Sequence, residues 1–285
     1  MKTLNLISPP VSEITFQIFT FPDGQPHIKL DIKTEQRFTS CRILARISSM
    51  NDLFLVLAAK NALDHAEVED VELYVAYLMA ARMDRVMTNG EPFSLKIIAD
   101  ILNLGNFKRI KIFDPHSDVA TALVNRSVAI DNAHLVRMAI EDFTEKYSSN
   151  NNYCLISPDS GALKKVYNVA QQLGVHDVAE CIKHRDVSTG QLSGFKTFEE
   201  NFGQKTCFIV DDICDGGGTF AGIAALLKSR NAGKVVLIVS HGIFSRGLTI
   251  AGIDHIYTTD SYQSFGEVPP NFNFYEVGTV LEPSR

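Results

Sequence analysis

Segments of strand length and of helix length alternate along most of this chain, and no other feature narrows its possible folds so far. Segments at 71–77, 109–114, 153–158, 177–182, 206–212, 234–240 and 255–259 have the length and make-up of strands. Between and beside them lie stretches whose apolar residues recur at helical spacing, at 53–66, 92–105, 134–147, 162–173 and about 219–229. Residues 48–52 offer caps for the first helix, and Gly105 and Gly174 stand where two others should close. A strand followed by a crossover helix re-enters its sheet in the same direction, so the pattern predicts parallel sheets flanked by helices. At 285 residues the chain is about twice an ordinary domain of ~150, and the pattern runs through two series. The break falls near 128–132, which predicts two domains, 1–130 and 131–285.

Composition excludes several classes. The longest apolar run, 53–59, is far short of the ~20 residues a membrane-spanning helix needs. The opening MKTLNLISPP carries one lysine and two prolines, too broken for a signal peptide, so a cytoplasmic protein is expected, with no membrane partner. With 27 basic and 33 acidic residues the net charge is −6, which argues against nucleic acid as a partner. The five cysteines are odd in number and never form a CxxC pair, so they read as reduced. Cys214 alone is expected in a functional loop, as a bystander.

Ligand sites of parallel α/β sheets gather at the carboxyl ends of the strands, which directs attention to 77–91, 114–118, 157–161, 183–190, 211–219 and 240–247. The richest of these is 211–219, DDICDGGGT. Asp211 and Asp212 end an apolar strand, and a carboxylate pair there suits the vicinal hydroxyls of a ribose. Asp215, Gly216, Gly217, Gly218 and Thr219 lead into a helix, where inward-turned N–H groups and the helix dipole can cradle a phosphate. Gly216, Gly218 and Ala221 also fit the GxGxxA dinucleotide spacing, but no acid ends the next strand, where the ribose contact should lie. The P-loop pattern fails because no Lys-Ser or Lys-Thr pair follows the glycines.

The run VDDICDGGGT resembles the phosphoribosyl-diphosphate (PRPP) binding signature shared by type I phosphoribosyltransferases and PRPP synthetases. Further motifs, in matching order, resemble the second group, the ribose-phosphate diphosphokinases. FPDGQ (21–25) is similar to an adenine-binding FxDGE loop, ARMDRVMTNGEPFSLK (81–96) to the YARQDR segment and its flexible loop, and FDPHSD (113–118) to a metal-binding DxH motif. ISPDSGALKKV (156–166) is similar to SPDxGA, IKHRD (182–186) to the catalytic KxR stretch, and SHGIFSRG (240–247) to THxxFS. The short length and the GEPFS and SGA sequences most resemble the compact, archaeal-type members.

The resemblance implies two phosphoribosyltransferase-like domains, the first handling ATP and the second the ribose phosphate. It implies Mg²⁺-dependent transfer of diphosphate from ATP to the anomeric hydroxyl of ribose 5-phosphate, giving PRPP and AMP. Phe21, Asp23, Gln25, Arg82, Asp84 and Arg85 would then bind ATP, while His116 and Asp159 would place the metal. Asp211 and Asp212 would hold the ribose hydroxyls, Asp215 to Thr219 the 5-phosphate, and Lys183 and Arg185 would stabilise the transferring group. The FPDGQ loop would serve a neighbouring subunit, which implies a homo-oligomer sharing its active sites. Allosteric control by ADP is not expected of a chain ending at Arg285.

Two departures bear on substrate. Gln25 stands where a glutamate is usual, and Gly216 where a threonine is usual, losing one hydroxyl and gaining space. The alternative acceptor is therefore a ribose with a larger 5-substituent such as ADP-ribose, as in ADP-ribose pyrophosphate synthetases. Two readings from other classes stand beside it: a phosphoribosyltransferase, and a non-catalytic PRPP-synthetase-associated regulatory protein.

Overall fold

In a computed structural model, described for residues 1–32, 38–147, 152–185 and 192–281 apart from the side chains of 183–185 and 192–193, the chain divides into two compact units, Met1–Ile130 and Asp131–Arg285. Each is taken by itself.

The first unit contains β1 (Lys2–Asn5), β2 (Phe16–Thr20), β3 (Pro26–Leu30), β4 (Ser40–Ile47), α1 (Met50–His65), β5 (Asp70–Leu78), α2 (Ser94–Asn103), β6 (Arg109–Phe113), α3 (Val119–Leu123) and β7 (Ser127–Ile130). Its sheet runs in the order β1-β4-β5-β6-β7, parallel throughout. Strands β2 and β3 form a separate antiparallel hairpin, which the alternation of strand and helix did not predict. One core joins Ile43, Ile47, Leu73, Val75 and Ile112 of the sheet to Leu53, Val56 and Leu63 of α1 and Leu95, Ile98 and Leu102 of α2.

Local chemistry sets the helix ends. Ser49 Oγ accepts the Asp52 N–H at 3.2 Å while Asp52 Oδ2 accepts the Ser49 N–H at 2.8 Å, a capping box that starts α1. Gly105 does not close α2 through a left-handed turn. A Cβ there would lie 2.5 Å from the Phe107 ring and 2.8 Å from Leu57, so glycine is needed for close packing.

The second unit contains α4 (Ala133–Tyr147), β8 (Tyr153–Ser157), α5 (Leu163–Leu173), β9 (Val178–Arg185), β10 (Leu192–Thr197), β11 (Thr206–Cys214), α6 (Gly218–Ser229), β12 (Val235–Gly242), β13 (His255–Thr259), β14 (Phe272–Tyr275) and α7 (Val277–Leu281). Its sheet order is β10-β9-β8-β11-β12-β13-β14. All pairs are parallel except β9–β10, an antiparallel edge added to the expected parallel sheet. Every residue of β12 is buried, as suits a strand covered on both faces. Gly174 closes α5 in the left-handed conformation at φ 69°, as its position predicts.

All five cysteines lie buried in strands, Cys214 at the end of β11 rather than in the loop beyond it. Burial raises the Cys214 thiol to about 12, with the nearby Asp211 and Asp215 charges adding to it, so it holds its proton at neutral pH. No helix among the described residues is long and apolar enough to cross a membrane.

Candidate active site

In the second unit the sheet places three acids near one another. Asp211 and Asp212 occupy the carboxyl end of β11, inside the strand rather than after it. Asp159 follows the neighbouring strand β8, where its Oδ1 accepts the Ala162 N–H at 3.1 Å. Because β8 and β11 are parallel, their carboxyl ends share one edge of the sheet. The Asp211 carboxyl is raised well above its ordinary range, first by burial, then by the Asp212 charge and hydrogen bond, with Asp159 adding to it. Asp212 is buried, and its N–H donates to Asp211 Oδ1 at 2.9 Å. Such a cluster of acids favours hydroxyl donors or a cation as its partner.

Beyond β11 the chain turns through Asp215, Gly216 and Gly217 into α6. Gly217 is the N-cap at φ 73°, in left-handed space, and a Cβ on it would meet Ile250 at 2.9 Å. Gly218 and Thr219 form the first turn of α6, and a Cβ on Gly218 would meet nothing within 4 Å. The glycine loop thus delivers the free N–H groups of a twelve-residue helix beside the acids of β11. Ser245 and Arg246, inside the 240–247 segment that the sequence singles out without giving either residue a role, flank this loop. Ser245 Oγ donates to Asp215 Oδ1 at 2.6 Å, and Arg246 lies against Gly216. The space gained at Gly216 is therefore not open: Arg246 Cδ and Nε stand 3.2 and 3.3 Å from where a Cβ would be.

Lys183 and Arg185 belong to the carboxyl end of β9, paired with Phe195 and Leu192 of β10. Their side chains, and Asp186, lie outside the described residues.

In the first unit the ARMDR and DPHSD segments meet. Asp84, after β5, is buried, while Arg82, Arg85 and His116 around it are exposed. Arg85 Nε donates to Asp84 Oδ1 at 2.9 Å. Burial opposes ionisation of Asp84, but the nearby Ser117 hydroxyl, the Arg85 hydrogen bond and the Arg85 and His116 charges hold its carboxyl below the ordinary value of 3.8. Asp84 is thus buried and bonded to Arg85, with the His116 charge nearby. The FPDGQ turn caps the β2–β3 hairpin: Phe21 N–H donates to the Gln25 carbonyl at 2.9 Å, and Gly24 takes φ 89°. Phe21, Asp23 and Gln25 are exposed at the tip. Phe21 stacks edge-on with Phe19, at 5.1 Å, and leans on His27, at 5.5 Å.

Asp159 is the one proposed metal ligand of this unit, and its carboxylate is the type of donor that hard cations take. Among the described residues no three His, Cys, Asp or Glu side chains converge to form a closed cage. Mg²⁺ bound with substrate phosphate takes only one or two protein carboxylates, and Asp159 offers a hard oxygen beside the acid pair.

Residues 127–268, which carry the acid pair and the glycine turn, match the phosphoribosyl transferase domain family. Within that class the chain is similar to ribose-phosphate pyrophosphokinases. It is 27% identical to the Mycoplasmopsis pulmonis enzyme over 86% of this chain and 76% of that one. It is 26% identical to the Corynebacterium glutamicum enzyme over 92% and 81%. The crystal structure of phosphoribosylpyrophosphate synthetase from Mycobacterium smegmatis superimposes with a TM-score of 0.79 at 20% identity, covering 99% of this chain and 96% of that one. The resemblance read from the motifs holds, and the two units are phosphoribosyltransferase-like domains.

Proposed function

We infer that this chain is a ribose-phosphate diphosphokinase, transferring the β,γ-diphosphoryl group of ATP to the anomeric hydroxyl of ribose 5-phosphate with Mg²⁺. The observation that carries the inference is the acid pair Asp211–Asp212 beside the glycine turn into α6, with Asp159 at the same sheet edge. The acids accept the ribose hydroxyls, and the N–H groups from Gly216 to Thr219 receive the 5-phosphate, so the sugar is held at both ends. The anomeric hydroxyl oxygen attacks the β-phosphorus, the bond from it to the oxygen shared with the α-phosphorus breaks, and AMP leaves. No covalent enzyme intermediate is needed, because positioning and charge neutralisation supply the acceleration.

Arg82 and Arg85 neutralise the polyphosphate, with Arg85 held by the buried Asp84. Lys183 and Arg185, at a strand end, stabilise the charge that develops on the transferring group. When bound, Mg²⁺ would neutralise phosphate oxygens, with Asp159 the candidate carboxylate donor of the second unit and His116 a candidate donor on the ATP side. The exposed aromatic tip carrying Phe21, Asp23 and Gln25 binds adenine in a neighbouring subunit of a cytoplasmic homo-oligomer. That sharing is supported by the exposure of Phe19 and Phe21, each 42% accessible, on a hairpin that projects its rings to solvent.

The test is acceptor-dependent release of AMP. With ATP, Mg²⁺ and ribose 5-phosphate the protein should produce AMP and PRPP in equal amounts, and with no sugar neither. A parallel reaction with ADP-ribose distinguishes the larger acceptor. Consumption of PRPP with a nucleobase, or no AMP with any acceptor, would overturn the reading in favour of a transferase or a regulatory protein.

A further inference from the structure

The segment that follows β12 leans on the glycine loop at three successive positions. Ser245 Oγ bonds Asp215 at 2.6 Å, Arg246 fills the space beside Gly216, and Ile250 fills the space beside Gly217. Ser245 and Ile250 are uncharged and fix the segment in place. Arg246, between them, is the one cation in residues 245–250, and it is exposed. Its Nε, the near edge of the guanidinium, stands 3.3 Å from where a side chain at 216 would begin. A residue larger than glycine at 216 and this arginine therefore compete for one volume. The glycine admits the arginine, and the arginine brings a planar, permanently charged donor to a loop already shaped for an anion.

We propose that Arg246 is an acceptor-binding residue that contacts the phosphate on the 5-oxygen of the acceptor sugar, from a second loop, in place of a hydroxyl at 216. The proposal rests on the acceptor site described above. A phosphate at that position occurs both in ribose 5-phosphate and, as part of a diphosphate, in ADP-ribose. The guanidinium fork suits either, and charge-assisted bonds of this kind are strong enough to govern affinity.

The test measures acceptor KM, ATP KM and kcat for the wild type and for Arg246→Ala, Arg246→Lys and Arg246→Gln, with ribose 5-phosphate and ADP-ribose as separate acceptors. Arg246→Ala should raise KM for the acceptor that the wild type uses by about tenfold or more, with ATP KM and kcat changed less than about threefold. Lysine should recover part of the loss and glutamine none. In the Arg246→Ala background, Gly216→Thr should regain some affinity, whereas in the wild type it should weaken the acceptor by driving a Cβ against the arginine. An unchanged acceptor KM in Arg246→Ala, or full recovery by the uncharged glutamine, overturns the proposal while leaving the diphosphokinase reading intact. Calorimetric binding of ribose 5-phosphate separates the two ideas if turnover is absent. Weaker binding by Arg246→Ala then keeps the arginine contact and removes only the reaction, and equal binding removes the contact.

Discussion

Asp211 carries the sharpest tension at the residue scale, a half-buried carboxylate crowded by the charges of Asp212 and Asp159. The folded protein binds its proton more tightly than the unfolded chain, whose carboxyl titrates near 3.8. Stability should accordingly fall as pH rises from that value through the raised folded one. Asparagine at 211 removes the repulsion. With metal chelated, Asp211→Asn should melt higher than the wild type near pH 7, by about 2–4 °C for each kcal/mol relieved, and the gap should close toward pH 4. The same variant should bind acceptor poorly. Thermal melts across that pH range check this, and a wild type that is the more stable of the two at neutral pH would contradict it. The glycines differ in kind. Gly217→Ala places a side chain in left-handed backbone and against Ile250, a cost of about 1–3 kcal/mol. Gly218→Ala meets open space and helical backbone, and denaturant titration should find it within about 0.5 kcal/mol of the wild type or better.

At the scale of elements, the edge strand β10 ties the carboxyl end of β9 to helix α6. Phe195 of β10 is paired with Lys183 of β9, and its ring lies where a Cβ on Gly222 of α6 would be, 2.2 Å away. Gly222→Ala should push that ring aside, cost about 1–3 kcal/mol and lower kcat more than it alters either KM. Equilibrium unfolding together with steady-state kinetics would show it, and unchanged kcat would mean that β10 does not brace Lys183. This strand, like the β2–β3 hairpin, was not legible in the sequence. Both are antiparallel additions at an edge or outside the main sheets, with exposed polar residues that break the apolar pattern. Of the interior strands, β5, β6, β8, β9, β11, β12 and β13 were legible, most of them as apolar segments of strand length, whereas β4 was missed, its run SCRILARI being broken by Arg42 and Arg46. Short elements at the margins, β1, β7, β14, α3 and α7, have too few residues to show a period.

At the scale of the whole molecule, the chain holds two α/β units, and the function proposed above gives ATP to the first and sugar phosphate to the second. The acid and glycine loop was legible because its chemistry is consecutive in the chain. The burial of Asp84 and the flanking of the loop by Ser245 and Arg246 were not, since they depend on segments distant in the chain that the fold brings together. Lys183→Ala should lower kcat by about 10²–10³ with the melting temperature nearly unchanged, the loss expected when one preorganised charge leaves a phosphoryl-transfer site. Near-normal turnover in that variant would remove Lys183 from the chemistry. The central claim is the transfer of a diphosphoryl group as a unit, and phosphorus NMR of a reaction containing ATP, Mg²⁺ and ribose 5-phosphate tests it most directly. The account predicts AMP together with a diphosphate attached to the anomeric carbon of a sugar that keeps its 5-phosphate. Formation of ADP, or of free pyrophosphate without the sugar diphosphate, would contradict it.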